Sequence, residues 1–539
     1  MHDEPRRVTA RPELAAALAD PGFTPGRGDL PAVIDLLADA DEDTAESAER
    51  ALLRAGTPAA APLTTRLTAA VAPLRARIVR VLGRLMIADV GLRPAVLPVL
   101  LAGLADADPR ARRNTIVALG KLAEPAATAA LVAHARVETS TPHLRSLVEA
   151  LGKCGDAEAL AWLDGLEDPD PELQRLRGRA RIMLGRSLGR ETSDAAIDDD
   201  AVAAQPRVML ATCRPGLEDI LAGSFDAGAA ATIAGPGKVT LKSRGPLRSL
   251  GRARTLMTLG FPLARTRLVP GPDALVAGLT AALTGPEAQE IFATWSKGQV
   301  RYRLAWARGG HRRAVVWRVA EAVARIRSGL VNDPTASPWE VVVDDAGGQL
   351  QVELRPRWTD TRFSYRVGDV PAASHPTIAA ALAMLGGVRA DDVVWDPFTG
   401  SGLELIERGL LGPYARLIGT DLDPKALVTA TANLKAASLE RFELLEADAT
   451  RYAPADVSLI LTNPPMGRRV QRGDVAPLLT DFLRNAASVL RPGGRLVWIS
   501  PLPRVTQQAA RGAGLVCRRT QPLDMGGFMA QLEVWVRGG

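Results

Sequence analysis

Four short segments in the last third of the 539-residue chain carry residue types that can act together on one ligand. Asp396-Pro397-Phe398-Thr399-Gly400-Ser401-Gly402 follows an apolar run and precedes a helical one. Gly400 and Gly402 let the backbone turn tightly and approach a ligand closely. The spacing is not Gly-x-Gly-x-x-Gly, so no dinucleotide pyrophosphate is implied. Gly419-Thr420-Asp421-Leu422-Asp423 ends the next apolar run with a carboxylate that can accept hydrogen bonds from both hydroxyls of a ribose. Ala447-Asp448-Ala449 offers an acceptor for an adenine amino group, and Asn463-Pro464-Pro465-Met466 closes the series.

Such residues act together only if the fold gathers them. Val393-Val394-Trp395, Leu417-Ile418-Gly419 and the runs 442–445, 457–461 and 495–499 read as strands. Residues 403–411 and 425–436 read as helices between them. Strands alternating with helices predict a parallel, doubly wound α/β sheet. In such a sheet the ligand crevice lies outside the carboxyl ends of the strands, where all four segments fall.

Together the four segments resemble the class I S-adenosylmethionine-dependent methyltransferases, in the amino-methylating branch with an Asn-Pro-Pro motif, over roughly residues 374–539. The resemblance implies a Rossmann-like domain with S-adenosylmethionine as cofactor and no metal. It implies cofactor contacts at Asp396, Phe398, Gly400, Gly402, Asp421 and Asp448, and catalysis at Asn463, Pro464, Pro465 and Met466. An amino group conjugated to a ring is a poor nucleophile because its lone pair is delocalised. Acceptors at the Asn463 side chain and the Pro464 carbonyl favour a tetrahedral nitrogen aimed at the methyl donor, and the prolines fix those directions. The family's usual aromatic is here Met466, flexible and polarizable. Stacking on a planar base then falls to another residue, with Phe398 a candidate.

The motif serves adenine N6, cytosine N4, guanine N2 and glutamine amides alike, so the middle of the chain must choose. Residues 210–218, 311–317, 331–334 and 363–366, leading into Ser374-His375-Pro376-Thr377, resemble the THUMP-containing RNA guanine-N2 methyltransferases, as does Gly467-Arg468-Arg469. That resemblance implies N2-methylation of guanosine in structured RNA, tRNA before rRNA, with the target base flipped out. It implies RNA contacts at Arg312, Arg313, Arg468 and Arg469, and a structural or cofactor-lid role for His375 rather than general-base work. Between residues 236 and 330 there are 17 Lys/Arg against four acids, which independently favours a polyanionic partner. An adenine-N6 methyltransferase acting on DNA or RNA stays open, as does a catalytically inactive RNA-binding repeat scaffold. A protein-glutamine methyltransferase would leave the basic middle without a purpose.

Upstream, Leu82-Gly83-Arg84, Leu119-Gly120-Lys121, Leu151-Gly152-Lys153 and Leu184-Gly185-Arg186 recur at intervals of 37, 32 and 33 residues, each ending a helical apolar run. The period predicts paired helices stacked in a solenoid and resembles HEAT repeats. The expected architecture is multidomain: an α-helical HEAT-like solenoid over 1–190, a linker over 191–205, an α+β ferredoxin-like and THUMP-like region over 206–370, and the α/β methyltransferase domain over 371–539. The helical part could extend an RNA surface or dock a protein. Three scattered cysteines, a polar N-terminus and no long apolar run point to the cytoplasm and away from membranes.

Overall fold

The computed structural model describes residues 11–122, 124–192, 194–269, 271–310, 312–371, 373–467 and 475–538. Arg468 and Arg469 lie outside the described residues. The chain forms two compact units, Met1–Asp194 with Arg312–Ala336, and Ala195–His311 with Ser337–Gly539.

The first unit is helical, and its sequence repeat has a packing cause. Helices α1 (Ala72–Ala88), α2 (Pro109–Leu119), α3 (Thr141–Cys154) and α4 (Pro171–Thr192) lie side by side in chain order. The recurring glycines sit where one helix meets the next. A methyl at Gly83 would fall 2.5 Å from the Ala118 Cβ, at Gly120 2.4 Å from the Ala150 Cβ, and at Gly152 2.7 Å from the Ala180 Cα. Gly185 in α4 faces no such neighbour, with nothing within 4 Å. Ion pairs keep the same beat: Asp35–Arg66, Glu49–Arg80, Arg75–Asp106 and Arg93–Glu124 each join residues 31 apart. Asp108, in the pair Asp108-Pro109, caps α2 by accepting from the Ala111 N–H. At α4 the capping acid is Asp170, which accepts from the Leu173 N–H, rather than Asp168 two residues earlier.

The segment Arg312–Ala336, placed by the sequence reading in the middle region, belongs instead to this helical unit. The reason is a set of contacts with α4. Trp317, on the helix Arg313–Ile326, lies under the guanidinium groups of Arg179 and Arg186, 5.2 and 4.8 Å from the ring centre. Arg190 forks onto the fully buried Asp333 carboxylate at 2.7 and 3.1 Å.

Two large sheets dominate the second unit, beside a two-stranded ribbon of Ala195–Ile197 and Ser296–Gly298. In the first large sheet, the strands that belong to this unit run in the spatial order Thr232–Gly235, Lys238–Ser243, Arg207–Thr212, Thr258–Arg267, Gln349–Pro356, Trp339–Asp344 and Val300–Trp306. Only the last pair is parallel.

The second sheet contains β1 (Val393–Asp396), β2 (Arg416–Asp421), β3 (Phe442–Glu446), β4 (Val457–Thr462), β5 (Leu490–Ser500), β6 (Leu515–Asp524) and β7 (Met529–Arg537). Their spatial order is β3-β2-β1-β4-β5-β7-β6, with β1 to β5 parallel and β7 antiparallel to both neighbours. Every residue of β4 is buried, as a central parallel strand with both faces covered requires. The chain winds outward from β1 to β3, then returns to β4 beside β1. That reversal opens a crevice at the carboxyl ends of β1 and β4. No helix among the described residues is long and apolar enough to cross a membrane.

If the repeat glycines mark helix contacts, Gly120→Ala destabilises the helical unit by about 1–3 kcal/mol through overpacking. Gly185→Ala, with open space around it, shifts stability by less than ~1 kcal/mol and in the favourable direction. Thermal unfolding followed by circular dichroism separates the two, and equal effects would remove packing as the cause of the repeat.

Candidate active site

Asp396, the last residue of β1, is completely buried. Its Oδ1 accepts from the Thr462 hydroxyl at 2.7 Å and from the Phe398 N–H at 3.2 Å. Its Oδ2 has no partner among the described residues. Burial, aided by the neighbouring Glu404, pushes this carboxyl well above the usual carboxylate range. The turn that follows needs its glycines: Gly400 and Gly402 have φ of 53° and 84°. The Gly400 N–H donates to Asp421 Oδ2 at 2.8 Å, and the Asp423 N–H donates to Asp421 Oδ1 at 3.0 Å. The loop after β1 is thus fastened to the carboxylate that ends β2. Each Asp421 oxygen keeps a lone pair for a further donor.

Asp448 follows β3 and accepts from the Thr450 N–H and hydroxyl at 2.8 and 2.7 Å. These donors hold its carboxyl below the ordinary value, so it stands ionised as an acceptor. Between Asp421 and Asp423 lies Leu422, 65% exposed, an apolar face beside a ribose-type carboxylate. Sequence reasoning passed over it, although an exposed leucine between two aspartates at a helix start was the available signal. Phe398 is half-buried and packs edge-on against Phe482, ring centres 5.3 Å apart, so part of its ring is committed to the core.

Asn463 emerges directly from β4. Its Nδ2 donates to the Ser374 Oγ at 2.8 Å, and the Ser374 hydroxyl donates to Glu404 on helix α6 (Leu403–Leu411), which follows α5 (Pro376–Gly386) in the chain. The other amide atom, Asn463 Oδ1, is buried with no partner among the described residues. Pro464 is buried, while Pro465 and Met466 are half-buried beside it. His375 caps α5, its Nδ1 accepting from the Thr377 N–H at 3.3 Å. Burial, with Arg214, Arg366 and Arg362 nearby, lowers its pKa and keeps the ring neutral. Capping is a structural role, where the resemblance implies a structural or cofactor-lid one.

The second unit therefore brings Asp396, Phe398, Gly400, Gly402, Asp421, Asp448 and Asn463–Met466 to the strand ends of one sheet. Arg312 and Arg313 belong to the helical unit, and Asn463 belongs to the second. The basic stretch is also less unbalanced in space than in sequence. Arg248 pairs with Asp199 and Asp200, Arg254 with Glu407, and Arg303 with Glu340, all acids from outside the stretch.

Comparison with known proteins follows the same division. A family model for an RMKL-like methyltransferase domain matches residues 364–531, and one for HEAT repeats matches residues 97–185. The tRNA (guanine(6)-N2)-methyltransferase of Thermus thermophilus is 32% identical over 60% of this chain and 98% of its own length. The tRNA (guanine(10)-N2)-dimethyltransferase of Methanothermobacter thermautotrophicus is 34% identical over 28% of this chain, and the match spans 46% of that relative. Human U6 snRNA (guanine-N(2))-methyltransferase THUMPD2 is 33% identical over 23% of this chain and 25% of its own length. Among solved structures, TrmN from Thermus thermophilus is 27% identical, with 61% of this chain and 99% of that one covered and a TM-score of 0.49.

If Asp421 holds the ligand and Asn463 serves the chemistry, two variants tell them apart. Asp421→Ala removes a charged acceptor and is expected to weaken S-adenosylmethionine binding by about 10- to 100-fold in calorimetry. Asn463→Ala leaves that affinity within about threefold, because Asn463 makes none of the hydrogen bonds that fasten the Asp421 loop. Equal losses in both variants would contradict the division.

Proposed function

This chain belongs to the tRNA guanine-N2 methyltransferase family, and on that premise we propose that it transfers a methyl group from S-adenosylmethionine to the N2 of a guanosine in tRNA. Position 6, named for the Thermus relative that the chain covers almost completely, is the first to examine. The observation that carries the reading is Asn463: an amide anchored through its nitrogen, with its oxygen buried at the end of β4 and without a partner among the described residues. A buried acceptor without a partner is costly, and a donor from a substrate amino group relieves that cost.

The residues present suit the cofactor. Asp421 retains acceptor capacity for two ribose hydroxyls, Leu422 offers an apolar face, and Asp448 is an ionised acceptor for an amino group. Gly400 leaves room at the loop, a methyl there meeting nothing closer than 3.8 Å. When bound, S-adenosylmethionine supplies an electrophilic methyl carbon on a sulfonium, which becomes a neutral thioether as the amine nitrogen takes the methyl.

The chain's own contribution is positional. Asn463 Oδ1 and the Pro464 carbonyl accept the two N–H groups of the guanine amine and draw its nitrogen out of conjugation with the ring. The lone pair then points along the line of attack. As the new N–C bond forms the nitrogen becomes cationic and loses one proton to solvent water, along the hydrogen bonds to these acceptors.

The antiparallel sheet of the second unit, within the 206–370 region, is the proposed ferredoxin-like and THUMP-like grip on RNA. Lys238 and Lys242 are both exposed, two positions apart from Thr240 on one strand and hence on one face, and Arg265 and Arg267 are exposed on Thr258–Arg267. Phosphate contacts from such residues set register on the RNA and leave base choice to the catalytic pocket. The proposed compartment is the cytoplasm, where the free thiols of Cys154, Cys213 and Cys517 stay reduced.

The test is methyl transfer from tritiated S-adenosylmethionine to unmodified tRNA, rRNA and DNA, followed by nucleoside mass spectrometry. N2-methylguanosine in tRNA is the expected product, and Asn463→Ala lowers its formation by about 100- to 1000-fold. Label appearing as N6-methyladenine would overturn the choice of base, and no label on any nucleic acid would overturn the substrate class.

A further inference from the structure

Glu404 is a buried acid that the mechanism above does not use. It sits in the first turn of α6, 3% exposed, with Leu403, Leu405 and Ile406 all buried around it. Its Oε1 receives the hydroxyl proton of Ser374, whose oxygen in turn receives the Nδ2–H of Asn463. Replacing a buried carboxylate by an apolar side chain of similar size often costs little or stabilises a protein. A charge held here, one hydroxyl away from the reactive amide, calls for a use.

We propose that Glu404 is a positioning residue for methyl transfer: acting through Ser374, it locks the Asn463 amide with Oδ1 turned to the target amino group. The inference rests on the guanine-N2 reading above and assigns to that site one more part. Its logic is proton counting. A carboxylate only accepts, so Glu404 fixes the single hydroxyl proton of Ser374 upon itself. Ser374 can then only accept from Asn463, and the one group able to donate is Nδ2. The amide orientation is therefore set, and Oδ1 is left for the substrate.

A protonated Glu404 undoes this. The carboxyl donates to Ser374, the hydroxyl proton turns toward Asn463, and the amide flips to accept it. Nδ2 then faces the guanine amine, donor against donor. Burial, opposed by the Ser374 hydroxyl, pushes the Glu404 carboxyl up to about 7, with Glu407 one turn along α6 adding to the rise. Asp396 on β1 faces it as a second buried acid, and Asp421 on β2 acts in turn on Asp396. The active form is the ionised one, so kcat rises as pH rises through about 7 and falls below it.

The experiment compares kcat, KM and the pH profile of methyl transfer to tRNA for Glu404→Gln, Ser374→Ala and Ser374→Thr. Glu404→Gln, which can donate as well as accept, is expected to lower kcat by about 100-fold, with KM for tRNA and for S-adenosylmethionine within about threefold. The acidic limb of its profile disappears. Ser374→Ala behaves alike, because its carboxyl still titrates but no longer reaches Asn463. Ser374→Thr keeps a hydroxyl and restores kcat to within about fivefold of the unmutated chain. The double variant Glu404→Gln with Ser374→Ala is no slower than either single one.

A kcat within about twofold of the unmutated chain in Glu404→Gln overturns the proposal. So does an acidic limb retained in both variants, which assigns it to Asp396, and so do additive losses. Ser374→Ala carries the test through a neutral residue, so loss of folding in one variant does not remove it. The unmutated chain is assayed alongside. A failure of the assigned function shows there, and a failure of the Glu404 role shows only in the ratios.

Discussion

The hydrogen bond from Thr462 to Asp396 joins the last residue of β4 to the last residue of β1, across the point where the sheet's winding order reverses. The loop after β1 holds the Gly400 N–H against Asp421; the loop after β4 begins with Asn463. One bond of 2.7 Å, closed off from water, therefore ties the Asp421 loop, proposed to hold a nucleoside, to the Asn463 loop, proposed to address an amine. In a dry interior such a bond is strong, and losing one partner leaves the other exposed to the full cost of desolvation. The same residue carries an Oδ2 with no partner among the described residues and a raised pKa, so the point on which the site is aligned is also a point of electrostatic cost.

Helix α6 extends that alignment in two directions. Its Glu404 leads through Ser374 to Asn463. Its Glu407, one turn later and fully buried, takes the Arg254 guanidinium through both oxygens and the Tyr365 hydroxyl through one. Arg254 and Arg362 lie over the Phe363 ring at 5.0 and 5.1 Å, so the polypeptide entering the catalytic sheet is held by stacked cations as well as by the ion pair. One short helix thus joins the reactive amide at one carboxylate to the chain that leads in from the antiparallel sheet at the next. Buried ion pairs are poor sources of net stability, yet removing one partner is severe, and this asymmetry makes them effective at enforcing a single arrangement.

Much of the catalytic sheet was legible because parallel strands announce themselves locally. Val393–Asp396, Arg416–Asp421 and Val457–Thr462 are short apolar runs, and the residue that follows or ends each run is by topology at the crevice. Asp396, Asp421, Asp448 and Asn463 could be picked out on that ground. Glu404 and Ser374 could not: they lie 30 residues apart, and Ser374 lies 89 from Asn463, so no local pattern links them. A glutamate in a helical run reads as solvent-facing, and only the packed structure reveals it as buried. The repeat glycines were visible as a period, but their cause was hidden until Ala118, Ala150 and Ala180 were seen against them. The basic stretch is less unbalanced than it reads, because acids from elsewhere in the chain, Asp199, Asp200, Glu340 and Glu407, pair with part of it.

The path of the chain between its two units has its own consequence. The backbone leaves the helical unit after Asp194 and returns to it for Arg312–Ala336 before completing the second unit. Neither unit is a continuous stretch of sequence, so no single cut divides the protein into two self-sufficient pieces. A fragment beginning at residue 195 would carry off Trp317 and Asp333, the residues that Arg179, Arg186 and Arg190 hold in the helical unit. During synthesis α4 emerges well over a hundred residues before Trp317 reaches it, and the helical unit is finished only after part of the antiparallel sheet has been made. Its repeats are modular in packing, but the unit as a whole is not modular in inheritance: shuffling it into another protein requires moving two pieces at once.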